Sequence, residues 1–270
     1  MKKLSKTCAL LAAAAMTLSL AACSGGTSGS SESPAPSGSA PAQETGTAGE
    51  TYLVGICQLA PHDALDAATQ GFKDALTEEL GDQVEFSEGN AGGDSNNCIT
   101  IIDGFLSEDV DLILANATAS LTAAASATDT VPILGTAITN YGVALNLDST
   151  EDGVLGGNIS GTSDLAPLDQ QAELLQELFP VDSHPNVGLL YCSAEPNSIF
   201  QVETIQGYLE EMGYTCAAYA FTDVNDLASV TQTACDNSDV IYIPTDNTAA
   251  NNTETIANVV IPAGVPVVAG

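Results

Sequence analysis

Beyond residue 50 the chain alternates short apolar runs with stretches whose apolar residues recur at helical spacing. The runs are YLVGICQL (52–59), QVEFSEG (83–89), DLILAN (111–116) and VPILGTAI (131–138). Between them lie ALDAATQGFKDALTEELG, NNCITIIDGFLSED and SLTAAASATD. In the first of these stretches Leu65, Ala68, Phe72, Ala75 and Leu76 share one helical face, and Gly81 stands where a helix ends. Uniformly apolar runs followed by amphipathic helices predict parallel strands covered on both faces.

A second series opens with the helix QAELLQELFP (171–180), stopped at Pro180. It continues with the strand NVGLLYC and the helix SIFQVETIQGYLEEMG, whose Phe200, Thr204, Ile205, Tyr208 and Leu209 fall on one face. TCAAYAF, DVIYIP and VPVVAG read as further strands. The series resemble each other, VGICQ then a helix in one and VGLLYCS then a helix in the other. This predicts an α/β protein of two doubly wound lobes with parallel sheets, residues 52–163 and 164–270, crossing over near Gly161 to Pro167. One continuous sheet is the alternative. The last strand reaches Gly270 with no covering helix after it, so the second lobe is expected to be C-terminally truncated.

The first 50 residues have another character. MKKLSK is a basic n-region, TCALLAAAAMTLSL an apolar h-region too short to span a bilayer, and LAAC (20–23) places small residues before a cysteine. Residues 1–23 therefore read as an export signal. Residues 24–50 are rich in Ser, Gly, Pro and Ala, a flexible tether with a reach on the order of 30 Å.

Charge narrows the function. Four Lys and Arg stand against 35 Asp and Glu, for a net charge of −31, and beyond Lys2, Lys3 and Lys6 only Lys73 remains basic. Such a surface repels phosphate backbones and anionic lipid headgroups, which excludes nucleic-acid partners and electrostatic membrane docking. Any anion bound must be held by dipoles. Cys57, Cys98, Cys192, Cys216 and Cys235 show neither C-x-x-C nor metal-ligand spacing, so no metal site or full disulfide framework is expected. They read as buried thiols, with one bridge such as Cys216 to Cys235 left open.

Ligands of open α/β sheets lie beyond the carboxyl ends of the strands. Those ends carry Gln58, Thr118, Ser120, Asn140, Asn197, Ser198, Asp246 and Asn247, which together would line a hydrogen-bonding cleft. Each of Asn197, Ser198, Asp246 and Thr118 to Ser120 also suits a helix cap. The two histidines, His62 and His184, stand beside proline, and no hydrolase, phosphate-loop or dinucleotide motif occurs. No catalytic residue and no cofactor is assigned.

VGICQLAPHDALDAATQGFKDAL, EGNAGGDSNN, DLILANATAS, GNISGTSDL, LLYCSAEPNS and IYIPTDN resemble, in order and spacing, the ABC-importer substrate-binding proteins of the family that includes tryptophan- and tyrosine-binding lipoproteins. The resemblance covers residues 52–270 and implies the two-lobed type I periplasmic-binding fold. LAAC likewise resembles a bacterial lipobox, implying that Cys23 carries the lipid, palmitate included, that anchors the protein on the extracytoplasmic face of the cell membrane. It further implies a small zwitterionic ligand, an aromatic amino acid, delivered to ABC permease and ATPase subunits. Asn197 and Ser198 would then meet the ligand's α-carboxylate and Asp246 its ammonium, with Thr118, Ser120, Gln58 and Asn140 gripping from the other lobe. Thr139-Asn140-Tyr141 departs from the T-D-P common in the family, and Asp63 follows His62 where Pro is usual. Tyr141 would be a stacking wall or a rim residue. A surface-attached α/β hydrolase and a sensory lipoprotein without transport are the competing readings.

Overall fold

The computed structural model describes residues 51–147 and 153–270; the signal (1–23), Cys23 and the tether (24–50) lie outside the described residues. The first lobe runs β1 (Tyr52–Gln58), α1 (Asp63–Leu80), β2 (Val84–Asn90), α2 (Ser95–Ser107), β3 (Leu112–Asn116), α3 (Thr118–Ala127), β4 (Ile133–Ile138), α4 (Tyr141–Leu145) and β5 (Ile159–Ser163). The second runs α5 (Leu168–Leu178), β6 (Asn186–Cys192), α6 (Pro196–Glu211), β7 (Thr215–Phe221), α7 (Val224–Asn237), β8 (Val240–Ile243), α8 (Asn247–Asn251), α9 (Thr253–Ala263) and β9 (Val267–Ala269). The described residues form two sheets, not one continuous sheet. Their orders are β2-β1-β3-β4-β5 and β7-β6-β8-β9, and every strand pair is parallel.

Alternation along the central strands decides which helix covers which face. Val54 and Ile56 of β1 pack with Phe72 and Leu76 of α1, whereas Cys57 packs with Cys98, Ile102 and Phe105 of α2. Gly55 lets α2 approach closely, since a Cβ there would sit 2.6 Å from the Phe105 ring. In β6, Val187 and Leu189 meet Ile205 and Leu209 of α6, while Leu190 and Cys192 meet Leu227 and Ala234 of α7. Both central strands are buried from two sides, which is why they read as unbroken apolar runs.

Four features depart from the sequence pattern. The buried face of α6 carries Ser198, Val202, Ile205 and Leu209, while Phe200 and Thr204 are half-buried and Tyr208 is 37% exposed. The face turns because Gln201 is pulled inward: its Nε2 donates to the Thr245 carbonyl at 3.0 Å and its Oε1 accepts from the Thr245 N–H at 3.2 Å. β5, with the polar sequence ISGTS, is a largely exposed edge strand with no apolar run to announce it. α7 buries Leu227, Thr231, Ala234 and Cys235, a stripe of mostly small residues that carries little hydrophobic signal. α4 has a single turn's length and lies below the reach of periodicity. All five described cysteines are free thiols, Cys216 and Cys235 included.

Two glycine substitutions test this packing in opposite directions. At Gly161, φ is +151° and a Cβ would lie 2.2 Å from both the Gly135 carbonyl and the Tyr141 hydroxyl. Gly161→Ala should therefore destabilise the protein by about 2 to 4 kcal/mol in urea denaturation. Gly207, in the exposed flank of α6, has nothing within 4 Å of its Cβ position. Gly207→Ala should stabilise by about 0.5 to 1 kcal/mol, because alanine has less chain entropy to lose in a helix.

Candidate functional site

The carboxyl ends of the strands in both lobes border a cavity of about 410 Å3. From the first lobe it is lined by Leu59, Ala60, the Gly92 to Asn96 loop and Ala119; from the second by Cys192, Glu195, Thr222, Asn247 and Thr248, among others. Its volume falls in the usual range of small-molecule sites, roughly 300 to 1,000 Å3. Its walls differ in electrostatic character.

The second-lobe wall is organised by two buried carboxylates. Glu195, 5% exposed, is the N-cap residue of α6, but its side chain crosses to the start of α8. There it accepts from Asn247 N (3.1 Å), Asn247 Nδ2 (2.7 Å), Thr248 N (2.8 Å) and Thr248 Oγ1 (2.7 Å), and also from Asn197 Nδ2 (3.1 Å). Asp246, 4% exposed, accepts from Cys192 N at 2.7 Å and from Ala249 N at 2.8 Å, and the Ser198 hydroxyl faces it. The amides at the start of α8 are thus engaged by the protein's own acids. Among the described residues no lysine or arginine shares in this network. Burial, and then the neighbouring Glu195 charge, push Asp246 up to about 7.

The first-lobe wall has the opposite character. Ala117 precedes α3 at φ +88°, a conformation that L residues rarely adopt, and α3 has no side-chain cap. Among the described residues nothing accepts from the Thr118, Ala119 or Ser120 N–H groups. The buried Thr118 hydroxyl also lacks a partner. An uncapped helix start carries a partial positive charge and free donors, which is an anion site. Ala119 places it on the cavity.

The remaining predicted site residues go elsewhere. Gln58 is buried beneath α1, donating to the Ala60 carbonyl at 2.8 Å and to Asp66 Oδ1 at 2.6 Å while accepting from Thr69 Oγ1 at 2.7 Å. Ser120 turns into the core, where its Oγ lies 3.5 Å from the sulfurs of both Cys57 and Cys98. Asn140 caps α4 through Val143 N at 3.1 Å and lines a separate cavity. Tyr141 lines that same separate cavity, and its hydroxyl lies 3.1 Å from the Gly135 carbonyl and 3.2 Å from that of Thr162, joining β4 to β5. Asn197 and Ser198 face inward: Asn197 Nδ2 reaches Glu195 and, at 3.2 Å, the Thr245 carbonyl, and the Ser198 hydroxyl faces Asp246. Asp246 accepts from the Cys192 and Ala249 N–H groups behind the cavity wall. The short local bonds of a helix start and a strand end outcompete solvent-facing roles for these side chains.

Two residues that matter escaped the sequence reading. Glu195 lies inside the LLYCSAEPNS stretch, and its place just before a helix-starting Pro is the one available cue. His62 gave no cue, because its partner is in the other lobe: His62 Nε2 lies 3.2 Å from Asn247 Oδ1. His184 precedes β6, at the strand's amino end and so away from the cavity, hydrogen-bonded to Ser183 at 2.9 Å and edge-on to Phe179.

Two α/β lobes with parallel sheets and a polar cleft at their strand ends define a solute-binding protein. The chain belongs to the ABC transporter substrate binding protein family, whose model matches residues 53–270. It is 32% identical over 219 residues to a tyrosine-binding protein of Clostridioides difficile strain R20291, covering 80% of this chain and 62% of that protein. The chain therefore spans 62% of the length of that curated relative. Among solved structures it resembles the Streptococcus pneumonia ABC domain in complex with L-Trp, with TM-score 0.76, 30% identity and coverage of 82% of this chain and 74% of that one. It resembles the ligand-free, open substrate binding protein of Clostridium difficile less closely in three dimensions, with TM-score 0.55 at 32% identity and coverage of 81% and 74%.

The raised Asp246 gives a pH dependence whose sign is fixed. Unfolded, the group ionises near 3.8; folded, near 7, so between these values only the folded chain holds the proton. Stability should fall as pH rises from about 4 to about 7 and level off above, by up to about 1.4 kcal/mol per pH unit from this group. Asp246→Asn, whatever its absolute stability, should flatten that segment of the melting-temperature profile. Identical profiles for the two proteins would remove Asp246 as its source.

Proposed function

We propose that the protein is the extracytoplasmic receptor of an ABC importer and that it captures a free amino acid with an aromatic side chain between its lobes. The supporting observation is the polarity of the cavity at the strand ends of the two lobes. On one side stands the uncapped start of α3, reached through Ala119 and carrying the unpartnered Thr118 hydroxyl, and on the other the Glu195 carboxylate, with the buried Asp246 carboxyl behind it. A zwitterion set between them places its carboxylate on the α3 amides and its ammonium toward the acidic wall. The arrangement requires no basic side chain, and apart from Lys73, paired with Glu88, the described chain has none. The tyrosine-binding relative and the similar structure in complex with L-Trp support the aromatic class. The same geometry supports capture and release without a chemical step, and membership of the family supports delivery to a permease.

Calorimetry with the twenty amino acids and with analogues lacking one charge checks the ligand. Tyrosine or tryptophan should bind, and the matching amine without a carboxylate should bind roughly 10- to 100-fold more weakly, the worth of a charged hydrogen bond. Thr118→Val should weaken binding several-fold. Equal binding of acid and amine, or silence across the panel, would defeat this reading.

Localisation belongs to the same proposal. With Cys23 lipidated, the tether of residues 24–50 would hold the binding lobes just off the membrane. Cells fed labelled palmitate should label the wild type and not Cys23→Ser, which should appear in the soluble extracytoplasmic fraction. Unchanged labelling in Cys23→Ser would refute the anchor.

A further inference from the structure

His62 stands at the N-cap of α1 yet makes no side-chain cap to its own helix. Its ring crosses to the second lobe, and apart from the bonds of the crossover segment itself at Asp164 and Leu165, the 3.2 Å contact between His62 Nε2 and Asn247 Oδ1 is the one hydrogen bond that joins the first lobe to residues 168–270 among the described residues. The side chains on both ends are held in place. On the first lobe, Gln58 Nε2 fixes the Ala60 carbonyl at 2.8 Å, and Pro61 restricts both its own φ and the backbone of Ala60, so the loop presents the imidazole from a stiff support. On the second, Asn247 donates from both N and Nδ2 to Glu195.

The donor and acceptor follow from that. With Nδ2 committed to a carboxylate, Asn247 can offer only Oδ1 to the imidazole; turning the amide over would set Oδ1 against Glu195 oxygens. His62 Nε2 therefore carries the hydrogen. The bond lies beside the cavity, since Asn247 lines it. The chain also matches the L-Trp complex at TM-score 0.76 and the open, ligand-free relative at 0.55, at nearly equal identity and coverage.

We propose that His62 is a positioning residue that latches the closed arrangement of the lobes by donating to Asn247, and so slows the escape of a captured ligand. Its consequence for ligand release rests on the capture reading above; the latch itself does not. A hydrogen bond made only in the closed state shifts the balance between closed and open toward closed by its net worth, roughly two- to tenfold.

The test has a ligand-free arm and a ligand arm, both on the full-length chain with His62→Ala and His62→Gln. In the ligand-free arm, hydrogen–deuterium exchange is followed in peptides covering residues 117–121 and 245–249, which include the cavity-lining Ala119, Asn247 and Thr248, and in the core strands β1 and β6 as controls. His62→Ala should speed exchange of the cleft peptides roughly two- to tenfold while the strands keep their rates. His62→Gln, whose amide can still donate, should restore them to near wild type. Unchanged cleft exchange in His62→Ala, acceleration of cleft and core alike, or failure of His62→Gln to rescue would each overturn the latch. In the ligand arm, stopped-flow with tyrosine or tryptophan should show the dissociation rate of His62→Ala raised by the same factor with association little changed. An equal dissociation rate in a protein that does bind would overturn the link to ligand escape. Silence of the amino-acid panel would strike only the capture reading, because the exchange arm needs no ligand.

Discussion

Two carboxylates buried without a cation set the terms for the second lobe. Removing a charged acid from water costs several kcal/mol unless hydrogen bonds replace the solvent, and Glu195 and Asp246 obtain those bonds from the starts of helices and from the end of β6. The start of α8, the start of α6 and the end of β6 can only assemble around them in one arrangement. Gln201 and Asn197 are drawn inward to the Thr245 carbonyl as part of the same assembly, and the buried face of α6 turns accordingly. What looks from outside like the acidic rim of a cleft is the fastening of the lobe.

The first lobe leaves its helix start unsatisfied where the second satisfies its own. Ala117 holds a backbone conformation that costs energy, and the N–H groups and hydroxyl beyond it have no partner among the described residues. Strain and orphan donors persist where the surrounding fold holds them, and here they border the cavity shared with the acidic wall. A chain of net charge −31 has few other ways to offer a positive potential. The bond from His62 to Asn247 joins the two walls, so the group that closes the cleft is attached to the same Glu195 network that shapes it.

Much of this was legible along the chain and part of it was not, for physical reasons. The alternation of VGICQ or VGLLYC with amphipathic helices identified the strands, because a strand buried on both faces must be apolar at every position. β5 and α7 escaped because an exposed edge strand and a helix packed through Thr231 and Ala234 bury too little apolar surface to leave a pattern. Gln58, Ser120 and Asn140 stood at the correct ends of strands, yet their side chains turned to Thr69, to the thiols of Cys57 and Cys98, and to Val143.

The sequence by itself determined two parallel α/β lobes, a cleft at their strand ends, and the need to bind without basic side chains. These follow from local periodicity and from composition, which survive without coordinates. The tertiary structure alone decided which polar groups face the cleft and which fasten the lobes, and that His62 reaches Asn247. Those choices depend on partners far apart along the chain, 52 positions between Glu195 and Asn247 and 185 between His62 and Asn247, and no local pattern records them.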